Sequence, residues 1–181
     1  MRTRREHHRS RSRLTFCPLR YGEELGPVQG VGYVNELIAR LTNQPVQDET
    51  QTNRTLDLSP VTFPLNRTIY ADFSHDNQMV AIYSAIGLFR QQEPLSTTHS
   101  DPERTWRISR MTPFAGRMVT EKVNCGGRDF VRIFVDDALQ PLEFCGADRS
   151  GLCSLRAFVE SQGYARNNGE GDFQKCFTSA G

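Results

Sequence analysis

The sequence predicts an α/β fold, and three stretches carry that expectation. "RTIYADFS", Arg67 to Ser74, is short and rich in β-branched and aromatic residues, which fit a pleated surface. It runs straight into "NQMVAIYSAIGLF", where Met79, Ile82, Tyr83, Ile86 and Phe89 recur at i, i+3, i+4 spacing and define one face of a helix. Farther along, "PFAGRMVTEKV" and "FVRIFVDD" read as two strands joined through "NCGGRD", an antiparallel hairpin. At 181 residues, one domain or a large piece of one is the natural size, and an apolar fraction of 37% is enough for a core.

Taken in order, the first twenty residues stand apart. "MRTRREHHRSRSRLTFCPLR" holds seven arginines (Arg2, Arg4, Arg5, Arg9, Arg11, Arg13, Arg20) against Glu6, a net +6. The remainder carries 15 basic and 20 acidic residues, a net −5, so the overall +1 hides an acidic body with a basic arm. The arm lacks the uninterrupted apolar run of a secretory signal. A nucleic-acid or import patch is one reading of it. A disordered leader, or a segment foreign to the fold, is the preferred one, because arginines without interleaved aromatics specify nothing. Residues 21–181 form the expected domain.

After the arm, "GYVNELIARLT" is a helix, with Val34, Leu37, Ile38 and Leu41 on one stripe. "NQPVQDETQTNRTLDLSPVTFPLN" is a loop dense in Asn, Thr and Pro. The strand expected over Ile69 to Phe73 and its helix follow, then a second loop, "EPLSTTHSDPERT", then the hairpin within residues 114–136. "SLRAFVESQGYA" is a last helix, with Ser154 as its N-cap. No stretch approaches the roughly 18 apolar residues of a membrane span.

Five cysteines add a compartment argument. Cys145 and Cys153 bracket "GADRSGL", a turn-rich loop short enough for a disulfide. Cys17, Cys125 and Cys176 have no obvious local partner, and no pair of CxxC motifs offers a zinc site. Sequons at Asn53 and Asn66 sit in polar loops and, with the cysteines, favour an oxidising, secretory compartment. That body and the arm, which is no signal peptide, pull in opposite directions.

The chemistry lies in "FSHDN", Phe73 to Asn77. A strand feeding a helix bends at the edge where open α/β sheets bind ligands. The helix start offers free N–H groups and a positive dipole end to an anion. His75 can donate a hydrogen bond to a phosphate oxygen, Asp76 can deliver a proton to a leaving oxygen, and Asn77 can orient either through its amide. The plainer alternative is that Asp76 or Asn77 merely caps the helix and His75 is structural.

"YADFSHDN", an aliphatic helix ending in "GLF", and "EPLST" together resemble the second signature of the histidine acid phosphatases, and more narrowly the fungal 3-phytases. "LGPVQGVGYVNELIARLTNQPV", "LDLSPVTFPLN" and "FVRIFVDDALQPLEFCGADRSGLCSLRAFVESQGYARNNGEGDFQKCF" extend the resemblance, in order, from Tyr21 to Phe177. It implies the phosphoglycerate-mutase-like α/β fold of histidine phosphatases, here only its C-terminal part. It implies phosphomonoester hydrolysis through a phosphohistidine, with phytate as the expected substrate and no metal or other cofactor. His75 becomes a phosphate ligand and Asp76 the proton donor, which favours acid solution because a carboxyl group must hold a proton to give one. The resemblance also implies a Cys145–Cys153 disulfide, with Cys125 and Cys176 pairing outside this portion, and an extracellular protein that binds neither nucleic acid nor membrane.

One departure is sharp. The family's nucleophile lies in an RHGxRxP segment, and none of the 181 residues forms one. His7 and His8 in "EHHRSRSR" lack its glycine and proline, and His99 lies in a loop. The expectation is a phosphatase portion whose nucleophile is absent. The alternative is a non-catalytic relic or binding module that keeps a phosphate-binding turn.

Overall fold

The computed structural model describes residues 25–50, 54–91, 95–96, 98–99 and 101–175. The arm of residues 1–20, Asn53, Cys17 and Cys176 lie outside them.

Helix α1, Val31–Thr42, continues a short 3-10 turn, Val28–Gly30. It buries Val31, Val34, Leu37 and Leu41, the predicted stripe with Ile38 at its margin. It stops at Asn43, which adopts a left-handed conformation (φ 55°) that asparagine tolerates better than most residues. Helix α2, Asp76–Ile86, buries Val80, Ala81, Ile82, Tyr83, Ala85 and Ile86, so its second half is covered nearly all round. Gly30 permits the close crossing of these segments, since a Cβ there would collide with the carbonyl of Ala81.

Helix α3, Ile108–Met111, is a single turn in the stretch between the second loop and the hairpin, to which the sequence assigns no element. The hairpin follows as β1, Met118–Cys125, and β2, Arg128–Val135, in antiparallel register from Met118↔Val135 to Cys125↔Arg128. Gly126 and Gly127 have φ of 59° and 77°, the positive pair that a two-residue hairpin turn requires. Two short strands, β3 (Ala138–Leu139) and β4 (Cys153–Ser154), both pair antiparallel with β2. Helix α4, Leu155–Ser161, starts as expected: Ser154 Oγ accepts a hydrogen bond from the Ala157 amide at 3.2 Å. It ends earlier than the sequence predicts, and α5, Gly163–Arg166, resumes after a break at Gln162. A final turn, α6, spans Asp172–Lys175.

One core joins these pieces. Val131, Ile133 and Val135 of β2 meet Tyr83 and Ile86 of α2, Val34 and Leu37 of α1, and Phe158 of α4. Tyr83 is the largest fully buried side chain, and its hydroxyl donates to the Met111 carbonyl at 3.1 Å, tying α3 to α2. Burial pushes that hydroxyl's pKa up. Asn35, buried in α1, donates to Asp48 Oδ1 (2.9 Å) and to the Ala165 carbonyl (3.0 Å), fixing the following loop against α5.

The strand expected over Ile69 to Phe73 is not a strand. The segment is extended but joins no ladder, and Ile69 and Phe73 are 85% and 99% exposed. Its composition suits a sheet, yet no strand lies beside it among the described residues, and strand propensity without a neighbour forms no ladder.

Cys145 and Cys153 are disulfide-bonded, with Cα atoms 6.0 Å apart. Closing so short a loop is worth about 2–3 kcal/mol by the chain-entropy estimate. Cys153→Ser should therefore lower unfolding stability by that amount in denaturant titration, and unreduced peptide mapping should recover the Cys145–Cys153 peptide. Recovery of Cys145 linked to Cys125 would contradict this pairing. Cys125 itself is exposed and free.

Candidate functional site

The site is the junction between the extended segment and α2. His75 is the N-cap of α2, in extended conformation (φ −119°, ψ 162°), and its side chain makes no capping hydrogen bond. Neither Asp76 nor Asn77 is the cap. Instead Asp76 Oδ1 accepts from the Asn77 amide and Asn77 Oδ1 from the Gln78 amide, both at 2.8 Å. The first internal helical bond runs from the Met79 amide to the His75 carbonyl at 2.9 Å. Two N–H groups that an anion would seek are thus held by neighbouring side-chain oxygens, one of them a carboxylate placed where the helix dipole favours negative charge. His75, Asp76 and Asn77 are all exposed. Their side chains share one helix start and can meet one ligand.

Two contacts fix that junction. On the helix side, Gln78 Nε2 donates to the Gln29 carbonyl at 3.0 Å. On the other side, both terminal nitrogens of Arg40 donate to the two carboxylate oxygens of Asp72, three residues before His75. The Arg40 guanidinium also stacks on Phe63 and Tyr70, at 4.8 Å and 5.0 Å from their ring centroids. Burial lowers the affinity of this guanidinium for its proton, but the hydrogen bond and charge of Asp72, together with the charges of Glu36 and Tyr33, outweigh it, so the pKa is raised and the pair stays ionised. Nearby, burial and then the charge of Asp72 push the Tyr33 hydroxyl up to about 12. The Arg40–Asp72 link is absent from the sequence reading. The partners are 32 positions apart, and no local pattern reveals the link.

The other candidates lie elsewhere. Asn66 is exposed in the loop before the extended segment, as a modified asparagine must be. His99 lies in a separate exposed loop, its Nδ1 2.9 Å from Ser96 Oγ. The Cys145–Cys153 bridge closes a loop beside α4. Among the described residues, no group of three or more His, Cys, Asp or Glu side chains could hold a metal ion, and no helix is long and apolar enough to cross a membrane.

The chain is 46% identical to Phytase A of Emericella nidulans over 161 residues, covering 87% of this chain and 34% of that protein. It is 47% identical to a Phytase A of Aspergillus terreus, again over 161 residues, with 86% and 34% covered. It therefore spans about a third of the length of the curated relatives it matches. Among solved structures, the phytase from D. castellii superposes with a TM-score of 0.64 over 88% of this chain and 31% of that one, at 21% identity, a likeness of fold. Residues 7–136 match the family described as "Histidine phosphatase superfamily (branch 2)". The chain belongs to the histidine phosphatase superfamily, branch 2.

Proposed function

We propose that this chain supplies the phosphate-binding histidine and the proton donor of a phosphomonoester hydrolase that acts on phytate. His75 contacts the phosphate, Asp76 protonates the departing alcohol oxygen, and Asn77 orients them. The observation that carries the reading is the shared placement of His75, Asp76 and Asn77 at the exposed start of α2. The Phytase A relatives support the substrate class.

In this reading an arriving phosphate dianion takes over the N–H groups now held by Asp76 and Asn77. That exchange frees the Asp76 carboxyl to turn toward the leaving group. The clamp of Arg40 on Asp72 limits the motion of the backbone before the turn, so the exchange moves side chains rather than the junction. The phosphoryl group passes first to a histidine nucleophile and then to water, which splits one hard displacement into two easier ones. The nucleophile comes from an RHGxRxP segment outside these 181 residues. Residues 21–181 act as one unit, residues 1–20 take no part, and the working protein is extracellular, glycosylated at Asn53 and Asn66. A second reading, a non-catalytic module that keeps the phosphate-binding turn, is favoured by the missing RHGxRxP motif.

The test is a chimera in which a Phytase A relative supplies the nucleophile segment. His75→Ala should lower kcat/KM for phytate and for p-nitrophenyl phosphate by similar factors, about 10–100-fold, the worth of a charge-assisted hydrogen bond. Equal activity of His75→Ala and parent on both substrates would remove His75 from the site.

A further inference from the structure

Beyond the other end of α2, about 16 Å from its start for 11 residues at the helical rise, lies a second feature. A cleft of about 900 Å³ opens between the segment after α2, the segment around α3, and the chain after β2. Four arginines line it: Arg90, Arg104, Arg107 and Arg110. Glu103 and Glu143 are the acidic lining residues, which leaves a net +2. The floor is apolar, with Phe89, Met111 and Val135.

The arginines sit on a fixed scaffold. Buried Trp106 lies edge-on to Phe89 (6.4 Å), and Phe89 edge-on to Tyr83 (5.5 Å). Arg107 Nε donates to the Arg104 carbonyl at 2.9 Å, and Arg104 Nη1 to the Asp101 carbonyl at 2.7 Å. Among the described residues, Arg90, Arg107 and Arg110 form no ion pair. Arg90, just past α2, can also complement the negative end of that helix. That role accounts for Arg90; Arg107 and Arg110 bring to the cleft charge that no carboxylate pairs among the described residues. Several arginines lining one cleft raise its positive potential, which a bound anion relieves.

We propose that this cleft is a binding site for a small anion bearing several phosphate groups, distinct from the His75–Asp76 turn. Guanidinium groups suit phosphate because their planar forks donate two parallel hydrogen bonds. The cleft volume fits an inositol polyphosphate or a short linear polyphosphate. The site does not depend on the roles assigned to His75 and Asp76.

The 181-residue chain itself can be titrated calorimetrically with inositol hexakisphosphate and, separately, with sodium tripolyphosphate. Saturable binding of one or both is expected, and the stronger of the two identifies the ligand type. Arg90 and Arg110 are exposed, so Arg90→Gln/Arg110→Gln leaves the core intact. It should weaken binding about 100-fold, and Arg110→Gln alone about tenfold, at roughly one charge-assisted pair each. Arg149→Gln, at an exposed arginine outside the cleft, should bind within twofold of the parent. The proposal is overturned if neither anion binds saturably, if the double variant binds like the parent, or if Arg149→Gln weakens binding as much as the double variant.

Discussion

Incubated at acid pH with phytate or p-nitrophenyl phosphate, the 181-residue chain is expected to release phosphate no faster than buffer. Four histidines are present: His7 and His8 in the arm, His75 at the α2 junction, and His99 in its loop. None lies in an RHGxRxP segment, where glycine and proline shape the backbone and arginines hold the phosphate that the imidazole attacks. A phosphate-binding histidine and a proton donor stabilise a leaving group, but they form no bond to phosphorus. Removing the nucleophile of a hydrolase costs on the order of 10⁶ in kcat where it has been measured. The Cys153→Ser and Arg110→Gln chains should be equally silent. Sustained turnover by the parent, lost in His75→Ala, would mean that a nucleophile is present and that the division of labour proposed here is wrong.

How far the molecule is legible in its sequence depends on the range of the interaction. The hairpin is legible because "NCGG" encodes its turn locally, and both strands lie within a few residues of it. Helices α1 and α2 are legible because one face of each is apolar at the right period, and the Ser154 cap because it acts within one turn. The segment at Ile69 to Phe73 misleads for a physical reason. Its side chains suit a strand, but a ladder needs a neighbour that propensity cannot supply. The break between α4 and α5 at Gln162 escapes notice because apolar residues resume just past it, at Tyr164 and Ala165. At the site, the histidine and aspartate are visible as a motif, and the resemblance to a family gives them roles. The clamp on their backbone is invisible, since Arg40, Phe63, Tyr70 and Asp72 converge only after folding. The arginines of the second cleft are scattered from residue 90 to residue 110 and look like ordinary surface charge until the fold gathers them.

The central claim is that Asp76 donates the proton, and leaving-group dependence separates that role from every structural one. An inositol alkoxide is a poor leaving group and needs a proton as the P–O bond breaks. A nitrophenolate leaves readily without one. General-acid assistance is worth about 10²–10⁴-fold, and Asp76→Asn removes it while preserving size and the oxygen that accepts from the Asn77 amide. Loss of the helix-start contacts alone, tested by Asp76→Ala, would cost roughly 0.5–2 kcal/mol of stability and act on all substrates alike. The decisive measurement is kcat/KM on phytate divided by kcat/KM on p-nitrophenyl phosphate, for Asp76→Asn against the parent, in the chimera that carries a nucleophile segment. The ratio is expected to fall by about 10²-fold or more; an unchanged ratio would contradict the assignment of Asp76 as proton donor.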